Sequence, residues 1–365
     1  MTKMNRMFRH TAVTILTVLI LTGCAYDDSV RDLREQVVNT ESQAITFSNG
    51  VIDNPVRIRT RAVTLLSDHS NTMGVWGWQT TPEGDVELLF LDQEVTFNAP
   101  AGKWTYSPLK YWQTNSNYRF YAYAPHADSS NGAEASIDSS THAISIKGVT
   151  LQGCNIIDSG VPALKANFSQ VPDIDWMVDR TGQTMAGIYR NEVVFNMQHI
   201  LSKLCIKVCC SNTFIPDSLE VVTLDSIRIG NFVSQGDFTQ NISIDSTGII
   251  PLEWNVIDTL PRYDITSASN VNLTDTALFV LESLLIPQAV SDDQYIRVCY
   301  SIGGANGGYK NRMNNKFMLN NLFSRFEPGK NYIINIVIGP EPITFDGGVV
   351  DWDDNQAEEF INIHR

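Results

Sequence analysis

Cys24 is the residue whose setting predicts the most chemistry. It closes the tetrapeptide Leu21-Thr22-Gly23-Cys24, which ends a short apolar run behind a basic start that contains no acids. Lys3, Arg6 and Arg9 form the positive region and Ala12 to Leu21 the apolar one, the layout of a signal peptide. That core is shorter than the about 20 apolar residues a bilayer span requires. A small residue before a cysteine is the pattern a lipoprotein signal peptidase reads. The thiol would take up lipid (palmitate among the acyl groups), the chain would be cut between Gly23 and Cys24, and Cys24 would become the lipid-bearing N-terminus. An ordinary secretory signal or a membrane anchor is the alternative reading of the same residues.

Other reactive residues are arranged in ways that argue against catalysis. Of the six cysteines, Cys154, Cys205, Cys209, Cys210 and Cys299 remain after Cys24, an odd number that cannot pair completely within one chain. Export would permit a disulfide. Cys205 and Cys209 lie in a strand-like run, where cysteine acts as a small buried apolar residue. Their spacing, with only His199 nearby, fits a zinc site poorly, so no metal is expected. There is no Gly-x-Ser-x-Gly elbow and no His-Glu-x-x-His pair. Gly303 to Gly308 follows a strand without a helical pattern behind it, so it reads as a hairpin loop rather than a phosphate cradle. Asp351-Trp352-Asp353-Asp354 lacks the ligand register of a calcium loop. The expectation is a protein without catalytic residues, cofactor or metal.

The bulk numbers agree with a folded, acidic, exported chain. Its 365 residues are 43% hydrophobic, 10% aromatic and 18% charged, with a formal net charge of −14. Loss of the three basic residues of the signal would leave 23 Lys+Arg against 40 Asp+Glu, or −17. Such a surface repels phosphate backbones, and nucleic acid is not an expected partner. Residues 1–23 read as the signal and 24–44 as a polar tether. From Ile45 onward, short alternating or apolar runs are broken by Gly, Pro, Asn and Asp about every ten residues, the mark of a β-sandwich. They include Ile45-Thr46-Phe47, Gly74 to Trp78, Val86 to Phe90, Tyr118 to Tyr123, Leu204 to Cys209, Tyr295 to Ile302 and Tyr332 to Ile338. Leu201-Ser202-Lys203 and Leu319 to Arg325 read as short helical turns. The expected fold is all-β: two tandem antiparallel β-sandwich domains with Greek-key-like connections, divided as 45–185 and 186–365.

Aromatic residues crowd the first domain: Trp76, Trp78, Trp104, Tyr106, Tyr111, Trp112, Phe120, Tyr121 and Tyr123. Exposed, they could stack on sugar rings, which gives the alternative function of a surface lipoprotein binding glycans. Their alternation is explained equally by a half-buried sheet, and core is the favoured reading.

Lys103-Trp104-Thr105-Tyr106-Ser107-Pro108-Leu109-Lys110-Tyr111-Trp112, with the following Tyr118 to Pro125, resembles the first domain of the fimbrillin-like proteins of Bacteroidetes. Val193 to Leu204 resembles the opening of that family's second domain, and Phe326 to Tyr332, with Val350-Asp351-Trp352, its C-terminal part. The resemblance implies tandem β-sandwiches in a lipoprotein precursor of a surface pilus, as shaft, anchor or tip subunit. In the resembling shaft subunits an Arg-specific protease removes an N-terminal segment with its lipid, and a strand of the next subunit fills the groove left behind. The matching positions here are Arg57, Arg59 and Arg61, with cleavage expected between Arg61 and Ala62. Ile45 to Phe47 would be the removable strand and Phe360, Ile361 and Ile363 the donor tail. The alternative is that these arginines are the outward residues of an ordinary edge strand with Ile58 inward. Implied partners are other pilus subunits through β-strand addition, the protease, and the membrane through the lipid. Asp27 and Asp28 resemble the signal that sends such lipoproteins to the outer face of the cell outer membrane, from which the subunit would pass into the pilus.

Overall fold

The computed structural model describes residues 44–52, 65–128, 130–151, 173–180, 182–186, 192–211, 220–240, 251–258, 263–304, 311–339 and 343–352. The protein is all-β and built from stacked sheets, as the alternating runs predict. The largest sheet contains β2 (Val51–Ile52), β12 (Asn196–His199), β9 (Met177–Asp179), β6 (Asn117–Ala124), β3 (Thr72–Thr80), β4 (Val86–Asn98) and β5 (Lys103–Thr105) in that spatial order. β10 (Gln183–Ala186) adds to β6. A separate pair joins β1 (Thr46–Phe47) to β11 (Glu192–Val193).

This central sheet is apolar on both faces. Along β6, Tyr118, Phe120, Ala122 and Ala124 enter one core with Phe47, Phe90, Trp104 and Trp112. Tyr121 and Tyr123 enter the opposite core with Trp76, Trp176 and Phe238. The half-buried sheet expected from alternation is thereby corrected. A four-stranded sheet of β16 (Leu252–Val256), β15 (Gln235–Gln240), β8 (Ile144–Thr150) and β7 (Glu134–Ile137) covers the second face. Tight packing between the strands sets local requirements. A Cβ on Gly74 of β3 would lie 2.1 Å from Cε1 of Tyr123, so only hydrogen fits beside that ring.

A further sandwich packs β18 (Leu278–Leu285), β13 (Ser202–Cys210), β21 (Lys330–Ile338) and β22 (Thr344–Asp351) against β17 (Tyr263–Asn272), β14 (Glu220–Phe232), β19 (Tyr295–Gly304) and β20 (Asn311–Met318). Its core runs from Leu204, Ile206 and Val208 to Ile334, Ile336 and Ile338. Ser202 and Lys203 belong to β13 rather than to a helical turn, because both pair with β18 and Lys203 also pairs with β21. Leu319–Asn321 does form a 3-10 turn. Pairing is antiparallel except in three ladders among the described residues: β1 with β11, β2 with β12 and β13 with β21.

Candidate functional site

Residues 44–52 form a strand inserted into the rest of the fold. Thr46 and Phe47 pair in parallel with Glu192 and Val193, and Val51 and Ile52 with Asn196 and Met197. Between the two ladders, the Ser48 amide donates to the Val193 carbonyl at 3.0 Å. On the other side, Ala44 bridges to Tyr111 and the Ile45 amide donates to the Lys110 carbonyl at 2.8 Å. The Tyr106 hydroxyl donates to the Ile45 carbonyl at 2.8 Å and accepts from the Lys110 amide at 3.2 Å. Burial pushes the Tyr106 hydroxyl up to about 12, opposed by its bond to the Lys110 backbone and assisted by Tyr111, so the donor stays protonated at neutral pH.

The side chains of the segment divide as a half-buried strand requires. Thr46 faces outward, whereas Ile45, Phe47 and Ile52 are 0%, 3% and 3% exposed. Phe47 fills an aromatic cage. Its ring centroid lies 5.7 Å from Phe90, 5.6 Å from Tyr106, 6.2 Å from Phe120 and 5.8 Å from Phe195. The intervening Ser48-Asn49-Gly50 shifts the chain from one ladder to the other. Gly50 fits closely there: a Cβ would come 3.2 Å from the Phe195 carbonyl oxygen, which would have to give by a few tenths of an ångström. Asn49 ties the bend down: its Nδ2 donates to Ser67 Oγ at 2.6 Å, and its Oδ1 accepts from the Ser67 amide at 3.1 Å and from Trp104 Nε1 at 3.3 Å. Burying Ile45, Phe47 and Ile52 contributes about 1.5–3 kcal/mol each. What lies beneath the segment is a groove with two open strand edges and three apolar sockets.

Ile45 and Phe47 are thus where the sequence places the strand. Gly23, Cys24, Arg57, Arg59, Arg61, Ala62, Phe360, Ile361 and Ile363 lie outside the described residues. Asn49, Ser67, Tyr106 and the pairing with β11 and β12 escape sequence reasoning. The Asn49-Gly50 dipeptide signals a bend, but nothing local reveals partners 18 and 55 residues away. The aromatics that could have bound sugars are mostly core: Trp76, Trp104, Trp112, Phe120, Tyr121 and Tyr123 are all buried, while Tyr111 is 45% exposed.

A second polar cluster ties β12 to the C-terminal sandwich. His199 Nδ1 lies 3.0 Å from Asp175 Oδ1, and the imidazole stacks on Trp352 with centroids 4.3 Å apart. His69 Nδ1 approaches the same carboxylate at 3.8 Å. Cys205 and Cys210 are buried, Cys209 and Cys299 partly so, and all four are free thiols. Among the described residues no three His, Cys, Asp or Glu side chains converge as metal ligands, and no helix is long and apolar enough to cross a membrane.

Fold and groove together define a class: an all-β sandwich protein whose N-terminal strand plugs a sheet edge. The family model described as fimbrillin-like matches residues 60–352, and the chain belongs to that family. A fimbrial protein from Bacteroides vulgatus ATCC 8482 has a similar fold, with a TM-score of 0.58 at 14% identity over 85% of this chain and 99% of that one. A proposed cell adhesion protein from Bacteroides uniformis ATCC 8492 gives a TM-score of 0.47 at 16% identity over 85% and 97% of the two chains. Another from Bacteroides ovatus ATCC 8483 gives 0.46 at 14% identity over 85% and 98%. No curated protein matches the chain in sequence.

Proposed function

We propose that the chain is a non-enzymatic structural subunit of a cell-surface pilus, assembled by exchange of the 44–52 strand for a strand of another subunit. The observation that carries this reading is the strand itself. It lies at sheet edges, contributes apolar side chains to a core, and is followed by the run Arg57-Ile58-Arg59-Thr60-Arg61. A strand held this way can be replaced by any extended segment that reproduces its ladder and fills its sockets, which is β-augmentation. Head-to-tail repetition of such a contact does not close on itself and generates a filament. Membership of the fimbrillin-like family supports the reading, and its match begins at residue 60, next to the Arg61-Ala62 bond.

In this proposal Cys24 carries lipid that holds the precursor at the outer membrane, and an Arg-specific protease cuts after Arg61. The tail containing Phe360, Ile361 and Ile363 then enters the groove of a neighbour. The groove is built on the large sheet that includes β12, and Ser202 opens β13 of the second sandwich. Mass spectrometry of the mature N-terminus from cells tests the scheme. Ala62 at the N-terminus supports the polymerising role, and retained lipidated Cys24 assigns the chain to an anchor. An unmodified terminus elsewhere refutes both. Arg61→Ala should abolish surface filaments if the cut is at that bond.

A further inference from the structure

The contacts that hold residues 44–52 come from residues on the far side of any cut made between 53 and 64. The Gly50 carbonyl accepts from the Leu66 amide at 2.8 Å, and the Leu66 side chain is wholly buried against it. Asn49 exchanges two hydrogen bonds with Ser67, side chain to side chain and side chain to backbone, and receives a third from the Trp104 indole. Ile45 is held through both its amide and its carbonyl by Lys110 and Tyr106. Ile45, Phe47 and Ile52 are buried in sockets lined by residues that follow position 64. None of these interactions depends on the covalent link through 53–64.

We propose that cleavage alone does not open the groove. The severed segment stays docked as a non-covalent plug, with Asn49 as its clamp, until a competing strand displaces it. Cutting and exchange are then separate steps, and the cut subunit is a stored, assembly-competent species that does not expose its open edges to the wrong partner. The Asn49 amide suits this task. It accepts from the Ser67 amide and the Trp104 indole N–H and donates to the Ser67 hydroxyl, so the loss of the plug leaves the indole and the serine without these partners together. This inference deepens the reading of the groove given above and rests on it for the biological meaning of the cut. The retention itself is a property of the fold.

The test uses the exported chain with Cys24→Ser to prevent lipidation and a site-specific protease sequence substituted for residues 57–61. After complete cutting, verified on a denaturing gel, the sample is passed through a size-exclusion column under native conditions and followed over time. The expected result is co-elution of the N-terminal fragment with the body. Asn49→Ala should shorten the fragment's residence time roughly tenfold, as expected for one net hydrogen bond to a buried group. Ser67→Ala provides a second variant if Asn49→Ala fails to fold, and should act in the same direction. Loss of the fragment as fast as it is cut would overturn the proposal, as would residence times for both variants equal to that of the parent. A fragment retained here, in a protein that cells never cut at Arg61, would refute the maturation scheme and leave the clamp standing. A native cut at Arg61 with immediate release here would do the reverse.

Discussion

Replacing Phe47 with alanine removes the largest side chain that the N-terminal strand contributes to the core. The ring is 3% exposed and is surrounded by Phe90, Tyr106, Phe120 and Phe195, each on a different part of the first unit. Phe90 and Phe120 are fixed on β4 and β6, each paired with β3 between them, which limits how far the cage can collapse to fill the gap. Buried Phe→Ala changes cost about 3–5 kcal/mol, with the larger values at sites that cannot relax. The expected loss is therefore about 4 kcal/mol. Urea unfolding followed by tryptophan fluorescence measures it. With a slope of about 2–3 kcal/mol per molar, the midpoint of the groove-bearing unit should fall by roughly 1.3–2 M. Two packed units need not unfold together, so alkylation of Cys205 on β13 reports the second sandwich separately. Thr46→Ala, one residue away and pointing outward, is the matched control and should change stability by less than about 0.5 kcal/mol. If Phe47→Ala proves no more damaging than Thr46→Ala, the strand is not seated in its socket, and the argument for the groove fails with it.

Tyr106→Phe should destabilise the groove by about 1 kcal/mol at neutral pH, through loss of the bond to the Ile45 carbonyl. With its hydroxyl raised to about 12 in the folded state against an ordinary value near 10, Tyr106 contributes stability that is fully present below pH 10 and lost as pH rises toward 12. The alkaline decline of the midpoint should therefore be shallower in Tyr106→Phe than in the parent; an identical slope would contradict it. Gly74→Ala should lower the thermal midpoint by several degrees, since its methyl would sit 2.1 Å from the Tyr123 ring; a neutral result would mean that β3 and β6 can separate there. Burial pushes the thiols of Cys205 and Cys210 up to about 12 and about 11, so neither should react with iodoacetamide at pH 8 before unfolding, as judged by peptide mass spectrometry.

The elements of this fold are more legible in the sequence than their partners are. Alternation marks Thr46–Phe47, β3, β6 and β21 because a strand with one buried face writes its own period. The same signal misleads on β6, where Tyr121 and Tyr123 look like the outward residues of a half-buried strand. They are buried because strands β15 and β16, more than 100 residues later, complete a sheet over them. Ser202 and Lys203 are drawn into β13 for a related reason: pairing with β18, joined at Lys203 by pairing with β21, outweighs a weak local preference for a turn. Asn49 is the sharpest case. Its side chain performs a long-range task, but in sequence it is indistinguishable from an asparagine that only opens a turn before glycine.

The division of labour within residues 44–52 bears on the proposed strand exchange. β1 and β2 are each two residues long, so their ladders supply few main-chain hydrogen bonds, each contributing about 0.5–1.5 kcal/mol net. The apolar side chains supply the larger share, through three sockets lined in part by β4, β6, β11 and β12. A long ladder would bind any extended chain of sufficient length with little regard to sequence. A short ladder over deep sockets instead discriminates by side chain: it rewards apolar residues where Ile45 and Phe47 stand, with one outward residue between them, and it favours a small residue where Gly50 closely approaches the Phe195 carbonyl. Thr46 carries none of that information because it faces solvent. In the proposed exchange, an incoming strand would have to match the plug in spacing before it could match it in affinity, and the short ladder that would let the plug leave would also make its replacement selective.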